Sequence, residues 1–273
     1  MEDISNSMMT AVAFAYLASS VLYLCFWVMK RKFFGTLAAV LTWVSLAVLT
    51  AAIILRWIAM RQLGYGLAPL SNLFESLIFF GWSLALAYLI LEWKTGLKML
   101  GALAMPLAFF AMLYALSLDP SIKPLLPALK SNWLIAHVIT CFLGYAAFGI
   151  SCAVGLVYIL TSQGKEPATP RAMLLDEIIY QTVVLGFILL TAGIVTGSIW
   201  ANSAWGTYWS WDPKETWSLV TWLVYAGMLH SRFLRGWRGF RLALFSVIGF
   251  ACVLFTYFGV NFLLSGLHSY AKG

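Results

Sequence analysis

Six tryptophans, Trp200, Trp205, Trp209, Trp211, Trp217 and Trp222, fall within 23 residues, with Gly206 and Tyr208 between them. Tryptophan brings a large rigid apolar face with one polar edge, so this density suits the covering of a large, flat, apolar partner. Tryptophan also collects as a belt at membrane interfaces. A belt spreads over all spans, however, and this run gathers six of the 13 tryptophans into one stretch. The chain has three histidines, His137, His230 and His268. Neutral imidazole is a nitrogen donor to metals, and a planar metallo-macrocycle such as haem takes axial donors from its two faces.

The elements that must position these residues are membrane spans. Hydrophobic residues make up 62% of the 273 and charged residues 10%, with a mean hydropathy of +0.89. That composition excludes an ordinary soluble domain and predicts an all-α polytopic membrane protein. Eight apolar runs are long enough to cross a bilayer: 8–29, 37–57, 70–91, 97–117, 133–160, 178–199, 216–231 and 242–265. The acidic start, Glu2 and Asp3, precedes the first basic cluster Lys30-Arg31-Lys32 by a whole span. A secretory leader has the reverse charge order, so the first run is expected to stay as a span. Cys25, Cys141, Cys152 and Cys252 all lie in apolar runs without a CxxC pair, and read as small buried hydrophobes.

Of the 17 Lys and Arg, 11 lie in the loops after spans 1, 3, 5 and 7, the densest group being Arg232, Arg235, Arg238 and Arg241. The positive-inside rule puts these loops in the cytoplasm and both termini outside. It also accounts for the net charge of +7 without a nucleic-acid partner. The tryptophan run, His137 and His268 then share the outer face, while His230 lies within span 7 toward the cytoplasm. Two outer histidines beside an aromatic platform point to bis-histidine haem. An ionisable group within a span is costly unless functional or paired. His230 either hydrogen-bonds a neighbouring carbonyl or binds haem iron. In the second case no other histidine of this chain can reach it, and a partner subunit must supply the second ligand.

The end of the tryptophan run is written as a helix start. Asp212 suits the N-cap, Pro213 the first helical position and Glu215 the return arm of a capping box. Span 3 opens with Ser71 as its expected cap and Glu75 in the first turn. Arg56 and Arg61 end span 2 on the same side, where either Glu75 or a haem propionate would be a partner.

The stretch Trp205-Gly-Thr-Tyr-Trp-Ser-Trp-Asp-Pro-Lys-Glu215 resembles the tryptophan-rich "WWD" signature of haem-handling proteins. Together with SNLFESL at 71–77, NWLIAH ending at His137, LHSR around His230 and GLHSYA around His268, the pattern resembles the CcsA/ResC type of system II cytochrome c biogenesis protein. The similarity runs from 69 to 270, which sets an N-terminal pair of spans, 1–68, beside a haem-handling core, 69–273, with its external WWD segment at 200–217.

The resemblance implies that His137 and His268 are external axial ligands to haem b. Trp205, Tyr208, Trp209, Trp211 and Asp212 belong to the external haem surface, and His230 to an intramembrane site whose second ligand lies on a CcsB/ResB-type partner. It implies a holocytochrome c synthase complex in a bacterial cytoplasmic or plastid thylakoid membrane, surrounded by lipid and serving apocytochromes with CxxCH. No general acid or base stands out, so catalysis would rest on orientation. Three other readings compete: a system I-type WWD protein that loads haem onto a chaperone, a cofactor-free small-molecule transporter, and a membrane-embedded electron-transfer cytochrome, which would want histidine pairs within the spans.

Overall fold

The computed structural model describes residues 1–65, 68–162 and 169–264, and among them there is no β-strand. In chain order the helices are α1 (Glu2–Met29), α2 (Lys32–Gln62), α3 (Leu73–Thr95), α4 (Gly101–Ala115), α5 (Asn132–Ser162), α6 (Pro170–Trp205), α7 (Pro213–Arg235), α8 (Phe240–Leu254) and a short α9 (Val260–Leu263). A single π-helical turn, Phe255–Gly259, joins the last two.

Seven segments of the described residues are long and apolar enough to cross a membrane. They are α1, α2, α3, Lys98–Ala115, α5, α6 and Phe240–Leu263. The eighth, α7, has 23 residues, about 34 Å of helix against a hydrocarbon core of about 30 Å. Lys214, Glu215, Arg232 and Arg235 crowd its two ends, so its apolar middle is short. Seven apolar helices and α7 agree with the expected all-α membrane architecture.

The helices fall into two compact units, Met1–Lys130 and Ser131–Gly273. In the first, α1 packs against α2 and α4, and α3 against α4. Its most costly feature is an ion pair between Arg56 Nε and Glu75 Oε1 at 3.0 Å, with both side chains 1% exposed. Engaging the remaining polar atoms offsets the cost of taking two such charges out of water: Arg56 Nη1 donates to Asn6 Oδ1 at 3.4 Å, and only Arg56 Nη2 has no hydrogen-bond partner among the described residues. Glu75 Oε2 accepts from the Ser71 amide and hydroxyl, both at 2.9 Å, and the Arg56 guanidinium lies 5.0 Å over the Phe74 ring. Glu75 is thus the partner of Arg56, which resolves the choice left open by sequence. The expected cap is corrected: Asn72 caps α3 by accepting from the Glu75 amide, while Ser71 donates to Glu75. Arg61 lies instead over the Trp57 ring at 5.2 Å.

In the second unit the longest seam is between α5 and α6, and α8 packs on α5. Small residues let the backbones approach. A side chain at Gly186 would strike the Phe148 ring, and one at Gly144 would meet the Gly186 carbonyl at 3.2 Å. Helix pairs in lipid rely on such close contact, because lipid tails compete with apolar side chains. The seam sets the start of α5 beside the last turns of α6, and that pairing positions His137.

Candidate functional site at the tryptophan-loop end

His137 stands in the second turn of α5, half-buried. Its Nδ1 lies 2.7 Å from the carbonyl oxygen of Gly193 on α6. A carbonyl only accepts, so Nδ1 carries the proton and donates, and Nε2 is the lone-pair nitrogen. This arrangement, a histidine fixed through its far nitrogen, is how proteins orient imidazoles that ligate metals. The ring is near-parallel to that of Trp200, with centroids 6.3 Å apart and an 18° interplanar angle. Trp200 meets Trp205 edge-on at 4.8 Å. Cys141, one turn after His137, puts its Sγ 3.7 Å from Nδ1.

The tryptophan run is divided between three elements. Helix α6 continues through Trp205 and ends at Gly206, which takes a left-handed φ of 79°. Trp200 and Trp205 are therefore helical, Trp217 and Trp222 belong to α7, and Trp209 and Trp211 alone occupy the loop. The span end expected at 199 is corrected accordingly, since α6 carries Trp200 and Trp205. Its apolar window stops near 199, whereas the helix runs six residues further because a helix does not end where hydrocarbon does.

Trp211 has a φ of 59°, a conformation unfavourable for a bulky residue and found where the surroundings over-determine it. Those surroundings are visible. Glu215 Oε2 accepts from the amides on either side of Trp211, Ser210 at 2.7 Å and Asp212 at 3.2 Å. The Thr216 hydroxyl donates to the Trp211 carbonyl at 3.3 Å. Asp212 is buried, and its side chain accepts from the Lys214 amide within a complete capping box. The capping box read from the sequence is present. Burial pulls the Lys214 ammonium down to about 8, against the opposing pull of Asp212. The result is a pinned loop that displays Trp211 and Tyr208, 68% and 60% exposed. Trp209 packs edge-on against Trp211 at 5.7 Å.

Of the expected site residues, His137 and Trp205 share one aromatic cluster through Trp200. Tyr208, Trp209, Trp211 and Asp212 form the capped loop. His268 lies outside the described residues. His230 is at the other end of the unit, exposed on α7, and its imidazole makes no hydrogen bond or ring contact among the described residues. Nearby, Arg232 donates to Asp176 at 2.7 Å and Glu177 at 3.2 Å and lies 4.4 Å over Tyr180. Among the described residues no three His, Cys, Asp or Glu side chains group as a metal site. A metal held here would have one or two protein ligands, as a haem iron does.

Sequence reasoning counted Trp200 only as part of the tryptophan run and Cys141 only as a buried hydrophobe, and passed over Gly193 and Gly197. The available signal was Gly193-Ile-Val-Thr-Gly197, a small-xxx-small pattern in an apolar run, which marks a close helix approach. The four cysteines are free thiols, with Cys141 and Cys152 buried, as their apolar setting suggested.

The chain matches the family described as cytochrome c assembly protein over residues 70–268. It is 42% identical over 254 residues to the cytochrome c biogenesis protein CcsA of Guillardia theta, covering 82% of this chain and 83% of that one. Identity to CcsA of Pyropia yezoensis is 36%, covering 99% and 98% of the two chains. For CcsA of Parasynechococcus marenigrum (strain WH8102) it is 35%, again over 99% and 98%. Among solved structures, the cytochrome c haem lyase CcmF superposes with a TM-score of 0.74 at 20% identity. That match covers 94% of this chain and 46% of CcmF, a likeness of fold to rather less than half of the larger protein.

Proposed function

The chain belongs to the cytochrome c assembly family and is of the CcsA type, and from that premise we propose that it is the haem-handling subunit of a system II cytochrome c synthase. Its place is an integral membrane one in cytochrome c biogenesis. The tryptophan loop and both termini face the extracytoplasmic side, by the distribution of Lys and Arg. Residues 69–273 form the haem-handling core and 1–68 an N-terminal pair of spans, a functional division separate from the boundary of the two compact units.

The observation that carries the proposal is the seat of His137. Its proton is committed to the Gly193 carbonyl, so the nitrogen that can ligate iron is defined before haem arrives, and its ring adjoins Trp200. Haem b is cargo and substrate. His137 and His268 hold its iron, and Trp205, Tyr208, Trp209 and Trp211 cover the macrocycle. Asp212 fixes the loop that carries them. His230 serves a second haem position near the cytoplasmic face, with the other ligand from a CcsB/ResB-type partner.

The covalent chemistry belongs to haem and to an apocytochrome with CxxCH. Each cysteine S–H adds across a vinyl double bond, sulfur to one carbon and hydrogen to the other, without net oxidation. The chain's own contribution is to orient the macrocycle and to keep water from it, which supplies rate through positioning.

An absorption spectrum of the purified chain tests this. Wild type from haem-replete cells should show a reduced six-coordinate, low-spin spectrum that His137→Ala and His268→Ala each abolish or weaken. Colourless protein purified with its partner would overturn the haem reading in favour of a transporter. Haem retained and passed to a chaperone, without thioether formation in the complex, would favour a system I-type role.

A further inference from the structure

We propose that Gly197 is a positioning residue for His137, setting the imidazole's orientation and hence the strength and redox character of its bond to iron. This rests on the reading of His137 as a haem ligand. Gly193 and Gly197 are one turn apart on α6, and His137 and Cys141 one turn apart on α5. A Cβ at Gly193 would come 2.5 Å from Cys141 Sγ, and one at Gly197 would come 2.5 Å from His137 Nδ1 and 2.7 Å from Cε1. The two bare positions therefore receive the thiol and the imidazole side by side.

Ordinary helix packing explains why small residues stand here. It does not explain which atoms they meet. At Gly197 the facing atom is the nitrogen that donates to Gly193, not the end of a flexible side chain. The ring cannot give way by a few tenths of an ångström without bending or breaking that bond. The carbonyl is further engaged by the Thr196 hydroxyl at 3.2 Å, so its direction is fixed. Trp200, three residues further along α6 and itself 5% exposed, lies near-parallel to the imidazole. Nδ1–H donation to a carbonyl enriches the ligating nitrogen and locks its lone pair in one direction. Loss of such outer contacts typically weakens metal binding about 10- to 100-fold. One methyl group at 197 thus acts on the iron without touching it.

The experiment compares Gly197→Ala with Gly144→Ala, which tightens the same seam two turns deeper, against backbone of α6 at 3.2 Å. Haem affinity, reduced spectrum and midpoint potential are measured on the full chain, together with thermal unfolding. Gly197→Ala should bind haem about 10- to 100-fold more weakly, lose the low-spin signature and shift its potential, and added imidazole should restore the low-spin spectrum. Gly144→Ala should keep the wild-type spectrum even where its melting temperature falls as far. If Gly197→Ala does not fold, Trp200→Leu removes the indole that lies near-parallel to the imidazole and should move the potential in a folded protein.

A wild-type spectrum and potential in Gly197→Ala, or in its stead Trp200→Leu, overturn the inference, as does the same spectral change in Gly144→Ala. His137→Ala separates the two levels. If it keeps the wild-type spectrum, the ligand reading itself fails. If it loses the spectrum while Gly197→Ala does not, only the positioning role fails.

Discussion

The two ends of the second compact unit treat histidine in opposite ways. At the tryptophan-loop end, His137 is gripped by its own chain: a carbonyl on Nδ1, a near-parallel indole and a bare glycine against Nδ1 and Cε1. At the other end, the chain invests its polar contacts next to His230 and not in it. Asp176 accepts from Arg232 and, at 2.6 Å, from the Gly239 amide, while His230 itself is exposed. An imidazole whose orientation is built in is suited to hold haem within one subunit. An exposed imidazole on a rigid frame is suited to share it with another.

The largest effect expected from this contrast is a split between two histidine variants. His137→Ala should remove most haem from the isolated chain. His230→Ala should leave the isolated chain's spectrum unchanged and lower haem content only in the complex with the partner. Equal losses in both isolated variants would erase the distinction between a self-supported and a shared site.

The frame beside His230 offers the next effect. Asp176 is 3% exposed, and removing one member of a buried ion pair leaves the other charge unpaired, at a cost of roughly 3–5 kcal/mol. Glu177 still reaches Arg232 at 3.2 Å but is half exposed, so it offsets part of that. Asp176→Ala should therefore lower the unfolding temperature markedly and weaken partner-dependent haem binding. The His137 spectrum should survive in whatever fraction stays folded. A loss confined to the tryptophan-loop end would mean that the two ends are not independent.

How far the contrast was legible in the sequence follows from its physics. The spans, the capping box at Asp212 and Glu215 and the separation of His230 from His137 are set by local composition and spacing, and all can be read along the chain. The seat of His137 is made by residues about 56 to 63 positions away, on another helix, and hydropathy carries no such pairing. The place of Trp200 beside His137 was hidden because the apolar window ends before α6 does. Adjacent Ser71 and Asn72 are nearly equal as caps, and only Glu75's commitment to Arg56, with Ser71 drawn into that cluster, decides between them. The Arg56–Glu75 pair, like the Asp176–Arg232 pair, depends on which helices pack together.

A smaller effect is expected at the loop. Glu215→Ala removes the acceptor that spans Trp211, along with half of the capping box. Losing a cap costs about 1 kcal/mol, and Trp211 would leave its left-handed conformation, recovering some strain. Net stability should thus change by less than the cap alone suggests, while haem retention falls. Glu215→Gln, which keeps an acceptor oxygen, should restore most of it. If Glu215→Ala lowers stability by the full cap value and leaves haem retention intact, the loop is a helix start and nothing more.

The smallest effect belongs to a residue between the two ends. Trp222 Nε1 donates to the Thr191 hydroxyl at 2.9 Å, tying α7 to α6 in mid-span. Thr191→Val removes the acceptor at nearly constant volume, and a neutral hydrogen bond contributes about 0.5–1.5 kcal/mol. The indole can also tilt toward Phe187, whose ring centroid is 4.9 Å away, which offsets part of the loss. Melting should shift by a few degrees at most, with the His137 spectrum and the partner-dependent binding at His230 both unchanged. Because α7 bears the capped loop at one end and His230 at the other, a change at both proposed haem positions would show that α7 moves as one lever, and the contrast between the two ends would then be one of exposure alone.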